Sequence, residues 1–315
     1  MQIISSKQRQ PRTAARIRTN FFIRDWQLYL LITLPLIYFL IFKYTPMMGV
    51  MIAFKEYNMF KGIFHSPWIG FATFREIFSM QEFYQALRNT FMLNIFDLIV
   101  NFPIPIILAI LLNEIRIVWF KKGAQTILYL PHFISWVIIG GMATQLLSTN
   151  TGIVNNVLKL LGVQAIPFLT KPLYWIATYV GVGVWQSAGW GTIIYLAALT
   201  GINKELYEAA DVDGASRLRK IWNITLPGIK PTIVILLILN IGNMANIGFE
   251  RPYVLSNPLV TDVSQVISTY VYQIGIQSAR FTIATAIGLF QAVVGLIFLL
   301  SANYASKKIN DQGIW

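Results

Sequence analysis

Long uninterrupted apolar stretches decide what this chain can become. A helix rising about 1.5 Å per residue needs about 20 mostly apolar residues to cross a bilayer core. Six stretches reach that length, at 26–45, 90–112, 126–147, 173–199, 232–249 and 281–304. Lipid offers no partner to backbone N–H and C=O groups, so a crossing stretch must be helical or belong to a closed barrel. The runs are continuous, unlike the alternating strands of about ten residues in an outer-membrane barrel. The expectation is an all-α integral membrane protein with six transmembrane helices. Composition agrees, since 56% of the 315 residues are hydrophobic and only 12% charged, whereas soluble domains carry roughly a quarter charged residues.

Basic residues precede the first apolar run, as in a signal peptide, but the run is too long. Lys43-Tyr44-Thr45-Pro46 is also a poor cleavage site, so the run reads as an uncleaved first span. The net charge of +12 is distributed between the apolar blocks. With the N-terminus inside, the inner segments hold Lys7, Arg9, Arg12, Arg16, Arg18, Arg24, Arg116, Lys121 and Lys122. They also hold Lys204, Arg217, Arg219, Lys220, Lys230, Lys307 and Lys308. The positive-inside bias therefore places both termini in the cytoplasm, with the basic stripe against anionic lipid. The domain layout is a basic cytoplasmic segment at 1–25, a six-span domain at 26–306 and a cytoplasmic tail at 307–315. The outer segment contains an amphipathic piece at 71–83, expected at the membrane interface with Trp68 nearby. Nucleic acid is not an expected partner.

Several chemistries are excluded. The chain has no cysteine, and its two histidines, His65 and His132, have no metal-ligand spacing. No G-x-x-x-x-G-K-[S/T] pattern occurs, so a P-loop ATPase is excluded for this chain. Nothing provides the paired groups of an intramembrane enzyme. The chain is expected to hold no cofactor or metal of its own and not to be an enzyme.

Polar residues inside hydrocarbon are costly and usually face a bundle interior or a cavity. Asn240, Asn243, Asn246 and Glu250 share one face when the fifth span is drawn as a continuous helix. They fit either a substrate pathway, where amides donate to and accept from hydroxyls, or bonding between helices. Asn94, Asp97 and Asn101 form a narrow arc in the second span, where Asp97 requires a partner or water. Trp185, Gln186 and Trp190 lie in the fourth span among Gly181, Gly183, Gly189 and Gly191. Such rings either stack on the flat face of a guest molecule or anchor at the interface, and the glycines permit close helix approach. Gln145 and Gln291 are isolated polar positions.

The inner connection at 201–231 is longer than two spans require. Asn203 is placed to cap a helix, with Glu205 in its first turn and Leu206, Ala209 and Ala210 along one face. Gly214 suits the helix end. A second short helix follows from about Ala215, with Leu218, Ile221 and Trp222 on its apolar side. Pro227 and Pro231 are expected to break or restart the chain before the fifth span. This surface helix–turn–helix has a small alanine face for another protein, and Glu208 and Asp211 supply charge.

Glu208-Ala209-Ala210, three residues, Gly214, nine residues, Ile224, one residue and Leu226-Pro227 together resemble the EAA loop. That loop marks membrane-spanning subunits of binding-protein-dependent ABC importers. Ile52-Ala53-Phe54-Lys55-Glu56-Tyr57-Asn58, Asn101-Phe102-Pro103, Leu111-Leu112-Asn113-Glu114, Leu130-Pro131-His132-Phe133-Ile134-Ser135-Trp136 and Asn257-Pro258-Leu259-Val260 are similar to oligosaccharide-type permeases. Asn203 departs from the proline of many relatives, although asparagine caps equally well.

The resemblance implies a type I ABC importer permease in a bacterial cytoplasmic membrane. Glu208, Ala209, Ala210, Asp211, Gly214, Leu226 and Pro227 would then couple it to a cytoplasmic ATPase. Two ATPase copies, which use ATP and Mg, a second homologous permease, an extracytoplasmic solute-binding protein and a carbohydrate substrate complete the expected set. A permease for a non-sugar solute, or an ion-coupled secondary transporter, is the alternative.

Overall fold

The computed structural model describes residues 26–310. The expectations for the basic segment 1–25 lie outside the described residues, as do those for the tail from 311 onward. The chain divides after Met51 into two compact units. In the first, α1 (Trp26–Phe39) continues through a wider turn at Leu40–Tyr44, so the unit's described residues are helical up to its end.

The second unit is helical throughout. Among its described residues the only β pairing is an isolated bridge between Lys55 and Trp68. Its main helices are α2 (Gln81–Val100), α3 (Pro103–Glu114), α4 (Val118–Tyr129), α5 (Trp136–Leu147) and α6 (Pro172–Thr200). They are followed by α7 (Lys204–Val212), α8 (Arg217–Lys220), α9 (Leu226–Gly242), α10 (Glu250–Leu255) and α11 (Phe281–Asn310).

Four described helical runs are long and apolar enough to cross a membrane: Trp26–Phe54, Gln81–Glu114, Arg217–Gly242 and Phe281–Lys308. Val118–Phe133 and Trp136–Leu147 make a fifth if taken as one span, but they bend by 101°. The expected straight third span is therefore broken. Pro131 sits in the short 3-10 turn Leu130–Phe133, and Ser135 caps α5 by accepting from the Ile138 N–H. The remaining expected stretch, 173–199, folds as the 29-residue α6, whose tryptophans, tyrosines and glycines lower its mean hydropathy.

The fifth apolar stretch also differs from its expected form. Helix runs back to Arg217 and stops at Gly242, rather than spanning 232–249. Pro227 occupies the first turn of α9, where no N–H is needed, and a wider turn at Ile221–Thr225 joins α8 to α9. The prolines are thus absorbed without breaking the run. Beyond Asn243 the chain is irregular up to α10, with Gly248 at φ +73°.

Helices in lipid gain little from burying apolar surface against one another and rely on close packing of small residues. Here α6 is the hub. A Cβ at Gly183 would collide with the Arg251 guanidinium, and one at Gly189 with the Leu128 backbone. At Gly191 it would press on Pro105, whereas Gly181 faces open space. Three of the four glycines therefore permit close approach, as expected. The amphipathic piece 71–83 does not lie free: Thr73, Ile77 and Phe83 are buried, the last two with Ile267 and Ile287.

Candidate functional site: a polar cavity and a surface hairpin

A cavity of about 450 Å³ opens where α2, α6 and α9 meet the irregular chain before α10. From α2 it receives Asn94, Asp97 and Asn101, from α6 Ser187 and Trp190, and from α9 Asn240. Asn243, Asn246 and Arg251 complete its polar wall. Asn240, Asn243 and Asn246 meet here, although not on one helix face. Asn243 is the residue capping α9, and Asn246 lies in irregular chain.

Each amide is oriented locally. Asn240 donates to the Leu236 carbonyl at 2.8 Å, and Asn243 to that of Leu239 at 3.0 Å. Asn94 donates to the Met244 carbonyl at 2.8 Å, which ties α2 to the irregular segment. In each case one amide hydrogen is used and an amide oxygen and second hydrogen are left for exchange with a guest.

Asp97 has the partner that a charge in hydrocarbon requires. Arg251 grips it in a fork, with Nη1 at 2.7 Å from Oδ2 and Nη2 at 3.1 Å from Oδ1. Asn101 donates to Oδ1 at 2.6 Å. Nη2 of Arg251 also donates to the Tyr179 carbonyl at 2.6 Å, and the guanidinium lies 3.7 Å above the Tyr179 ring. Its place against Gly183 exists because that residue has no side chain. Only 13% of the Arg251 side chain and 19% of the Asp97 side chain are exposed. The pair is therefore shielded but borders the cavity, which it leaves close to neutral.

Of the other expected contacts only Trp190 lies in the cavity. Trp190 reaches the cavity stacked on His132, with centroids 4.5 Å apart. Trp185 instead lines a separate apolar pocket with Ile139 and Met142. Gln186 is buried 3.5 Å from the His132 carbonyl, in the bend between α4 and α5. Glu250 is exposed in the first turn of α10, where a carboxylate suits the helix dipole. Gln291 donates to the Ala245 carbonyl at 2.5 Å. Arg251 was missed by the sequence reading. Its signal was a lone cation close to an apolar stretch in a chain whose second span carries an unmatched Asp97.

The hairpin forms from local rules. Asn203 accepts from the Glu205 N–H at 3.0 Å to start α7, and Gly214 turns the chain at φ +69°. Ser216 then caps α8 by accepting from the Arg219 N–H. Asp211 and Lys220 close the two arms at 2.6 Å, so the Asp211 charge is engaged within the hairpin. Tyr207 and Thr225 join hydroxyls at 3.0 Å, anchoring α7 to the root of α9. No residue of α7 is buried. Glu208 and Ala209 are exposed, Ala210 is half-buried, and Leu206, Leu218 and Trp222 present apolar surface. Among the described residues Glu208 has no ion-pair partner. Leu226 and Pro227 open α9 directly behind.

Residues 77–311 match the family described as binding-protein-dependent transport system inner membrane component. The chain belongs to this family. Both the cavity and the hairpin fall inside the matched region. The chain is 45% identical to Protein LplB of Bacillus subtilis (strain 168) over 292 residues, covering 93% of this chain and 92% of that protein. It is 44% identical to the polygalacturonan/rhamnogalacturonan transport system permease protein YteP of the same organism over 313 residues, or 99% and 96% of the two chains. Among solved structures it is similar to a chain of a bacterial alginate ABC transporter in complex with an alginate pentasaccharide-bound periplasmic protein. There the TM-score is 0.85 at 43% identity, covering 93% of this chain and 98% of that one. The protein is thus an integral membrane transport component.

Proposed function

We propose that this chain is one permease subunit of an ATP-driven importer that brings an oligosaccharide, a fragment of a larger polysaccharide, into a bacterial cell. The observation carrying this reading is the cavity itself. Asparagine amides converge there with a tryptophan and a self-neutralised ion pair, which together suit sugar hydroxyls and a ring face. The names of YteP and of the alginate transporter support a polysaccharide-derived substrate. The engagement of Asp97 by Arg251 disfavours an ion-coupled mechanism, which needs a carboxylate able to load and release a proton or cation.

In this reading α6 and the bent α4–α5 pair bring the spans to six, both termini are cytoplasmic, and the chain is multi-pass in the bacterial cytoplasmic membrane. The hairpin docks on a cytoplasmic ATPase, with exposed Glu208 meeting a basic partner group and the alanine face allowing close contact. A second related permease supplies the other half of the pathway, two ATPase copies use ATP and Mg, and an extracytoplasmic solute-binding protein delivers the sugar.

Purification of the tagged chain from its native membrane in mild detergent should recover an ATPase and a second permease, identifiable by mass spectrometry. Recovery of the chain alone, active in ion-driven uptake, would remove the importer reading. Glu208→Lys is expected to leave the protein in the membrane and abolish uptake, because the hairpin then presents the wrong charge. Normal uptake by that variant would end the docking role. Asn243→Leu removes one set of amide contacts, worth about 0.5–1.5 kcal/mol. Uptake should fall about two- to tenfold while the ATPase still co-purifies. Unchanged uptake kinetics would make the asparagines purely structural.

A further inference from the structure

A second cavity, of about 620 Å³, lies between the C-terminal end of α5 and the chain from Val254 to Leu259. Ser148, Thr149, Asn150, Thr170, Ser256 and Asn257 give it a polar wall, and Leu169 and Leu259 give it aliphatic patches. No ionisable or aromatic residue lines it. Thr170 lies just before α6, a helix whose 29 residues extend about 43 Å at 1.5 Å per residue and end at the hairpin. Ser187 and Trp190 of the first cavity lie about 22–27 Å along that same helix. Along α6 the order is therefore second cavity, first cavity, hairpin.

The walls of the second cavity are fixed from behind. Asn257 donates to the Leu169 carbonyl at 2.8 Å and accepts from the Leu259 N–H at 3.0 Å, which ties two walls together. Asn155, fully buried, donates to the carbonyls of Ser148 at 3.1 Å and Ile166 at 2.9 Å, and accepts from the Ile166 N–H at 2.8 Å. That holds the 148–150 wall against the segment leading to Thr170. By contrast, the side chains of Thr149, Asn150 and Thr170 have no hydrogen-bond partner among the described residues. A prebuilt pocket with unused hydroxyl and amide groups next to aliphatic surface matches the hydroxyls and C–H face of a sugar ring. It lacks the Trp, Tyr and Arg anchors that dominate protein–protein hot spots. Without charge or stacking it holds a guest weakly, as a site that must pass its guest onward requires.

We propose that this second cavity is an entry subsite for an uncharged sugar unit of the transported chain, upstream of the first cavity. The inference rests on the carbohydrate-import reading above. The chain contains no cysteine, so Thr170→Cys and Asn150→Cys each give it a single thiol, whose labelling is read on this chain's own gel band, and the second variant serves if the first does not fold. Each is examined in the complete transporter in lipid nanodiscs, by its rate of reaction with a maleimide. The probes are oligosaccharides digested from rhamnogalacturonan, which carries neutral rhamnose units, and from arabinan, added without solute-binding protein. Oligosaccharide that the wild-type transporter takes up should slow labelling at both positions at least fivefold. It should leave the exposed control Leu161→Cys unaffected. Unaltered labelling at 150 and 170 by a transported sugar would overturn the subsite alone. Protection by solute-binding protein without sugar would overturn it in favour of a protein contact. Uptake of none of these sugars by wild type would overturn the carbohydrate reading itself, and the subsite with it.

Discussion

Replacing Asp97 by leucine should destabilise the protein by about 3 kcal/mol or more, and replacing Arg251 by methionine should cost a similar amount, yet the double variant should recover most of the loss. Each single change strands a charge that is more than four-fifths shielded from water. Asp97→Leu leaves the guanidinium the Tyr179 carbonyl and the Tyr179 and Trp136 rings, none of them a countercharge. Arg251→Met leaves the carboxylate only the Asn101 amide. The double variant removes both charges and places apolar side chains of similar size between α2, α6 and α10, where desolvation no longer opposes packing. Thermal unfolding of the four proteins in one detergent, read as a double-mutant cycle, should give a coupling of about 2 kcal/mol or more. Single losses that merely add would show that the two residues do not act as a pair. Uptake should not recover with stability, because the double variant turns part of the cavity wall apolar.

The ion pair also shows what the sequence made legible and what it did not. Asp97 stood out because a lone carboxylate in an apolar run is expensive wherever the chain folds, so the need for a partner follows from composition alone. The partner's identity depends on tertiary contact over 154 residues and had no local signature. The helical stretches were legible because lipid forces apolar continuity, and the hairpin because Asn203 and Gly214 set its first cap and its turn by local chemistry. The asparagines were assigned to a shared surface by extending a helix past Gly242. In the structure they meet because the chain leaves the helix there and folds back toward α2. Pro131 and Ser135 carry a local signal for a break, but apolar continuity alone makes 126–147 one span, and the 101° bend departs from it. Hydropathy measures whether a stretch prefers lipid, not whether it is straight. Trp185 and Gln186 were grouped with Trp190 by proximity in sequence, yet at 100° per residue neighbouring helical positions face different ways, and only Trp190 reaches the cavity.

Gly189→Ala is expected to destabilise the protein by about 3 kcal/mol, whereas Gly181→Ala, eight residues earlier on the same helix, should be neutral or slightly stabilising. Alanine gains close to 1 kcal/mol over glycine inside a helix, and at Gly181 nothing opposes that gain, since no atom beyond its own stretch of helix lies within 4 Å of the new methyl group. At Gly189 the methyl would overlap the carbonyl carbon and oxygen of Leu128. Those are backbone atoms of α4, so no rotamer change relieves the overlap and the helices must separate. Separation at Leu128 acts immediately before the turn at Leu130–Phe133 that carries His132 onto Trp190. The cavity wall should therefore loosen along with the fold, and uptake should fall further than the amount of membrane-inserted protein. Melting temperature and uptake per inserted molecule, measured for both alanine variants, test this together. Equal behaviour of the two would mean that α4 and α6 do not depend on the missing side chain at 189. A Gly189→Ala protein that melts normally but fails in uptake would instead place the close approach in the moving part of the transport cycle.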